Sequence, residues 1–272
     1  MSKVGILKQA FNPITLQDID FAKKQIKKLK LDKVYFVVLK DENKPKKKDR
    51  KQMVSLALED IDNIELIKEK DSNIECVYLN NKNSININKK IMKGDFTLLD
   101  EKVKDYILDN CFYFKTIIRN NLRDNRYKHS LSVSKLAVEL ARAHNYDEKK
   151  AYTAGIFHDI CKELPYKKTM ELMKKHFKDK LKNPGYLFHA YLGMVFARDK
   201  LLIKDEEILN SIYHHVLGTD DGTLSKIIYI SDKLDPSRGY DSSYLIKLSL
   251  KNLDLGFKQT RYESNRYNKE KN

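Results

Sequence analysis

Cysteine is scarce in this chain of 272 residues: Cys76, Cys111 and Cys161 are odd in number, far apart and form no C-x-x-C pair. That excludes a disulfide framework and a thiolate zinc site, and it fits a reducing compartment. No run of about 18 uncharged apolar residues is present, so no membrane-spanning helix is expected. The opening MSKVGILKQAF lacks the apolar core of a secretory signal. These absences together predict a cytoplasmic protein with no membrane partner. Internal repeats and low-complexity linkers are missing as well.

What is present suffices for a packed core, with 41% hydrophobic residues, while 33% charged residues favour solubility. The net charge of +15 admits a nucleic-acid partner. Most of that charge, however, is lysine spread along polar helix faces. Only Lys44 to Lys51 (KPKKKDRK) is a dense basic run, and a solvated loop accounts for it. The simpler reading is a solvated basic surface, whose field also favours small phosphate-rich substrates.

Two patterns divide the chain near residues 110 to 115. The first part alternates strand and helix signals: strands at Lys3–Leu7, Lys33–Leu39, Ile64–Ile67 and Ile74–Leu79, and helices at Asp18–Leu29 and Met53–Ile61. This predicts a small α/β domain with a parallel sheet over residues 1–112. From residue 113 onward the spacing is helical throughout, predicting an all-helical bundle with helices at 113–121, 131–143, 148–161, 168–180, 189–200, 205–215 and 224–234. The last ~15 residues have little to bury, which predicts a frayed tail.

All seven histidines lie in the helical part. His129 is expected to start one helix, and His158-Asp159 to end another inside the apolar stretch GIFHDICKELP. A carboxylate in such surroundings needs a pair or a metal. His189 starts a further helix, His214-His215 end the next, and Asp232 ends the one after. Each candidate thus sits at a helix terminus, where a bundle can converge ligands. Imidazole with carboxylate suits iron, manganese or zinc. Six such ligands exceed the needs of one catalytic ion, which favours two ions sharing Asp159 as a bridge. His144 and His176 fit cap or surface positions. Adjacent His214 and His215 point about 100° apart, and periodicity leaves open which of them faces inward.

The blocks RYKHSLSVSKLAVELA, AGIFHDICKELP, LFHAYLG, IYHHVLG and YISDKLDPSRGY resemble the HD-domain hydrolases of the YqeK type, over about residues 113–250. The resemblance implies symmetric cleavage of diadenosine tetraphosphate into two ADP at a di-iron centre. It implies His129, His158, Asp159, His189, His215 and Asp232 as ligands, His215 being chosen because it lies three residues before Gly218. It also implies that Lys162 and Arg238 hold phosphates beside the reacting Asp159 centre, a role suited to an arginine fork. Which carboxylate orients the nucleophile stays open. Two other functions remain open as well: a broader nucleotidase or phosphodiesterase, and a nucleotide- or RNA-binding protein without turnover.

GILKQAFNPITLQDI, at the front, is similar to the first loop of nicotinate-mononucleotide adenylyltransferases, which is glycine-rich and followed by H-x-G-H. Phe11, Pro13 and Ile14 are kept, but Thr15 and Asp18 stand at the histidine positions, and Lys8, Gln9 and Gln17 replace glycines. In the family's second signature Ser84 survives, while Asn88 stands where its arginine belongs. A degenerate, catalytically inactive nucleotidyltransferase-like domain is the expectation, and the basic run at residues 44–51 could be a phosphate-facing remnant.

Overall fold

The computed structural model describes residues 3–42, 45–72, 75–82 and 84–270. Lys44 of the basic run, Ile74 at the start of an expected strand and the last two residues lie outside them. The chain divides into two compact units, residues 1–113 and 114–272. Among the described residues no helix is long and apolar enough to cross a membrane.

The first unit runs β1 (Val4–Gln9), α1 (Leu16–Leu29), β2 (Lys33–Val38), α2 (Lys47–Leu58), β3 (Ile64–Leu66), β4 (Val77–Leu79), α3 (Ser84–Ile91) and α4 (Glu101–Asp109). Its strands form a parallel sheet in the order β3-β2-β1-β4, with Ile6 opposite Tyr35 and Gly5 opposite both Val34 and Val77. Ile6, Leu7, Val34, Phe36 and Val37 are buried without remainder, as expected for strands covered on both faces. The small α/β unit expected from the alternation is what forms.

The basic run departs from the solvated-loop expectation. Lys47–Lys51 open α2, and Arg50 faces inward with no exposed surface. Its guanidinium donates to the carbonyl oxygens of Ala10, Leu39 (3.1 Å) and Pro45 (3.3 Å), tying the β1–α1 loop to both ends of the β2–α2 loop. A buried charge needs such acceptors. The helix therefore begins earlier than residue 53, because Arg50 belongs to the same inward face as Met53, Val54 and Ala57.

The second unit is entirely helical: α5 (Phe114–Asn121), α6 (Asp124–Ala143), α7 (Glu148–Phe157), α8 (Tyr166–His176), α9 (Phe188–Asp199), α10 (Glu206–His214), α11 (Thr223–Lys233), α12 (Ser243–Lys251) and α13 (Leu253–Glu270). A short 3-10 turn, Pro236–Arg238, follows α11. Helices α6 and α7 pack closely because Gly155 lies on the backbone of α6: a Cβ there would stand 2.9 Å from Ser134 Cα. The tail expected to fray is instead helix α13, anchored by the buried Phe257 and Thr260. Helix α6 starts seven residues earlier than its apolar spacing suggests, so His129 is its sixth residue, not its first.

Candidate metal centre and active site

Helix ends deliver most of the cluster. His158 directly follows α7, and its Nδ1 lies 2.7 Å from the Gly155 carbonyl oxygen. His215 directly follows α10, with Nδ1 2.7 Å from the Ile212 carbonyl oxygen. A carbonyl can only accept, so Nδ1 carries the proton in both rings and Nε2 presents a lone pair. Gly218, at φ +60, lets the chain turn sharply after His215 with its face against the Tyr229 ring. His129 is held in the same sense by the fully buried Asp235, whose Oδ2 lies 2.6 Å from Nδ1. His189 is the second residue of α9, and Asp232 sits in the last turn of α11.

The Nε2 atoms meet pairwise, His129 with His158 at 3.2 Å and His189 with His215 at 3.2 Å. Asp159 joins the pairs. Its Oδ1 is 3.0 Å from His189 Nε2 and 3.5 Å from His215 Nε2, while Oδ2 is 3.8 Å from Nε2 of both His129 and His158. Asp232 Oδ1 stands 3.2 Å from His129 Nε2 and 3.8 Å from His158 Nε2. Two groups that could hold a metal result, His129–His158–Asp159 and Asp159–His189–His215, sharing one carboxylate. Protonated imidazoles could not turn Nε2–H towards one another in this way. The donor set fits cations: neutral nitrogens and charged oxygens aimed at common points.

For two of the rings the electrostatics agree with that fit. Burial pushes His158 down to about 3 and His189 down to about 4, so both rings are neutral at pH 7. His129 differs. Burial alone would lower it, but hydrogen bonds to Asp232 and Asp235 outweigh burial and raise it. Asp159 and Asp232 are held well below the usual carboxylate range; burial opposes this, and His158 for the first and Lys233 for the second lead the groups that overcome it.

Both basic residues singled out in the sequence stand beside the cluster, on opposite sides. Lys162 Nζ is 3.0 Å from His189 Nε2, and burial lowers its pKa. Arg238 Nη2 donates to Asp232 Oδ1 at 2.6 Å. His214 points away and has Nδ1 2.7 Å from Thr219 Oγ1. His144 ends α6 with Nε2 2.7 Å from the Ser249 carbonyl oxygen, and His176 is the last residue of α8. Two neighbours were missed by sequence reasoning. Asp235 lies within the DPSRG block but has no pattern of its own. Arg126 precedes His129 by three residues, a spacing that shares one helix face and was a usable signal.

Residues 126–237 match the HD domain family. A Bacillus subtilis protein described as a symmetrical bis(5'-nucleosyl)-tetraphosphatase is 34% identical over 129 residues, which cover 45% of this chain and 68% of that one. The chain belongs to the HD-domain hydrolases. The helical unit is also similar to a crystal structure from Clostridium acetobutylicum described as a predicted HD superfamily hydrolase involved in NAD metabolism. That match has a TM-score of 0.54 and 33% identity, covering 58% of this chain and 86% of that one. A Mycoplasma genitalium protein described as a probable nicotinate-nucleotide adenylyltransferase/Ap4A hydrolase is 30% identical over 168 residues, 59% of this chain. The chain spans about half the length of this relative and of its Mycoplasma pneumoniae counterpart, with 48% and 50% covered.

Proposed function

We propose that the helical unit hydrolyses diadenosine tetraphosphate symmetrically into two ADP, using divalent ions held by His129, His158, Asp159 and Asp232 on one side and by Asp159, His189 and His215 on the other. What supports this reading above all is the sharing of Asp159: one oxygen serves each histidine pair. Iron is the expected metal, with manganese or zinc as alternatives suited to the same donors. Bound ions would supply Lewis acidity and lower the pKa of water at the scissile phosphorus.

The chain's own residues do the rest. Hydrogen bonds at Nδ1 hold the rings of His129, His158 and His215 in orientation, so these three need not turn when a ligand arrives. Arg238, anchored on Asp232, offers further N–H donors to phosphate oxygens in a fork that suits them. Lys162 offsets charge on the His189 side. Water adds across the central P–O–P bridge; one ADP takes the hydroxyl, and the other leaves with the bridging oxygen and the proton.

The first unit lacks nucleotidyl transfer on this reading. Thr15 and Asp18, at the positions where adenylyltransferases carry histidines, have become a helix cap: Asp18 is fully buried and accepts from Thr15 Oγ1 (2.7 Å), Thr15 N (3.0 Å) and Asn81 Nδ2 (2.9 Å). A carboxylate satisfied within its own cap is not available to a transferring phosphate, and its charge would repel one.

Chromatography of products from metal-loaded protein and diadenosine tetraphosphate tests the proposal. ADP alone is expected. ATP with AMP would overturn symmetric cleavage, and rapid hydrolysis of simple phosphodiesters with no preference for the tetraphosphate would favour the broader enzyme. Tight, salt-sensitive RNA binding without turnover would favour the non-catalytic alternative.

A further inference from the structure

The two oxygens of Asp232 are used differently. His129 and His158 both approach Oδ1, at 3.2 Å and 3.8 Å, and Arg238 donates to that same oxygen at 2.6 Å. Oδ2 faces Lys233 instead, whose Nζ donates to it at 2.8 Å. The Asp232 side chain is only 7% exposed, so water screens the pair little. One oxygen is turned to the cluster, and the other is held by a cation.

Reaching Oδ2 takes a set path. Neighbours on a helix leave the axis about 100° apart, so Lys233 must fold its stem back to meet Asp232. Tyr229, four residues earlier on the same face of α11, supports that stem: Lys233 Nζ lies 5.2 Å from the centre of its ring. The ring itself is fixed. Tyr229 is 1% exposed, Gly218 lies so close that a Cβ there would come within 2.8 Å of it, and Phe257 of α13 meets it edge-on at 5.3 Å. Arg261 closes the circuit, standing over Phe257 at 5.2 Å and donating to the Gly218 carbonyl oxygen at 3.2 Å. A fully solvated lysine would be a poor clamp; this one is 21% exposed and rests on a wall built from three segments.

We infer that Lys233 is a positioning residue that restricts Asp232 to one oxygen and so keeps a coordination position open on the His129 side of the centre. The inference deepens the proposed function and rests on its metal site. A carboxylate free at both oxygens can close on a cation with the pair. At a hydrolytic centre the second oxygen would take the place that substrate or water needs, since catalytic ions keep one position clear of protein ligands. Lys233 prevents this by claiming Oδ2, and its charge also loosens the hold on a cation. The site thus binds its ion less tightly than its donors would allow, with one face open.

The test uses the full chain and Lys233→Met, which keeps an unbranched stem on Tyr229 but removes the donor and the charge. Cobalt(II) alone is the first probe, followed by its visible absorption, which weakens as coordination number rises. Lys233→Met is expected to keep its metal-free melting temperature and to absorb less strongly per ion bound. It should also bind cobalt about 10-fold more tightly in competition with a chelating dye, the effect of removing one nearby charge. With iron(II) and diadenosine tetraphosphate, kcat should fall about 10- to 100-fold, and Lys233→Arg should recover part of it. Damage to the fold would move affinity the other way, so weaker cobalt binding overturns the inference, as does an unchanged spectrum. A raised KM with cobalt affinity and spectrum unchanged makes Lys233 a substrate contact and overturns it too. Wild-type protein that leaves the tetraphosphate intact while Lys233→Met shows the cobalt effects supports the inference and sinks the hydrolase reading alone. Tetraphosphate turnover in the wild type, with a cobalt spectrum indifferent to Lys233→Met, does the reverse.

Discussion

His158 and His215 are built alike: each immediately follows its helix, each donates Nδ1–H to the carbonyl three residues back at 2.7 Å, and their rings meet edge to face with centroids 5.0 Å apart. The helices behind them match too. Asp147 caps α7 and Asp205 caps α10, each accepting two backbone N–H bonds. One local device, a short helix with an acidic start and a histidine just past its end, is used twice to aim two Nε2 atoms at a shared carboxylate.

Adjacent histidines make the sharpest comparison. His215→Ala should lose bound metal and reduce hydrolysis by more than the roughly 10- to 100-fold typical of residues behind a ligand. His214→Ala removes a bond to Thr219 and a ring contact with Tyr213, neither of which reaches the cluster, and should leave metal content unchanged. Elemental analysis of the two purified variants checks this.

Asp235 holds His129 without facing the cluster's centre. Replacing it with alanine frees the ring to rotate and removes the partner that keeps Nδ1 protonated. Metal affinity is expected to weaken about 10- to 100-fold, measured by competition with a chelating dye. Asp235→Glu should restore part of it.

The α6–α7 contact sets the spacing of His129 from His158. Gly155→Ala drives a methyl to within 2.9 Å of Ser134 Cα, which is backbone and cannot step aside. A loss of about 1–3 kcal/mol is expected, seen as a lower urea midpoint. Metal binding should weaken as well, because the 3.2 Å Nε2 pair opens.

Asp205→Ala should cost about 1 kcal/mol through the lost cap of α10. The carboxyl is partly buried, which would raise its pKa, but Lys150 at 2.9 Å and the N–H groups of Ile208 and Glu207 bring it below the ordinary value of 3.8. A lowered folded pKa means the stabilisation is complete above pH 3.8 and vanishes as acid carries the group through its folded pKa. The difference between wild type and variant, followed by denaturant midpoints, should hold near neutrality and narrow in acid.

The parallel sheet and most of the cluster positions were legible in the sequence because local pattern fixes them, while the choice of His215 over His214 came from the family resemblance. Apolar β-branched runs mark buried strands, and His158, His215 and Asp232 sit where a helical period stops. What was hidden depends on partners distant in the chain. Arg50 lies in a lysine run and differs from its neighbours only because the carbonyls of Ala10 and Leu39 happen to await it. Helix α6 begins at Asp124 behind Arg123, which makes no side-chain cap, so only the acidic Asp124 marks its start and the apolar spacing begins a turn or more later. Helix α4 did carry a signal, Asp100 capping Lys102 N, and was overlooked because its apolar face is short. The tail's helix follows from the burial of Phe257 and Thr260, which composition does not announce.

Helices α7, α10 and α11 all finish at the cluster, with His158, His215 and Asp232 in or just past their closing turns. A helix's closing turn is its electronegative pole, equivalent to roughly half an elementary charge spread over unsatisfied carbonyls. The peptide backbone therefore contributes a cation-attracting potential at this spot before any carboxylate is counted. Swapping one carboxylate for its amide would dim that attraction without extinguishing it.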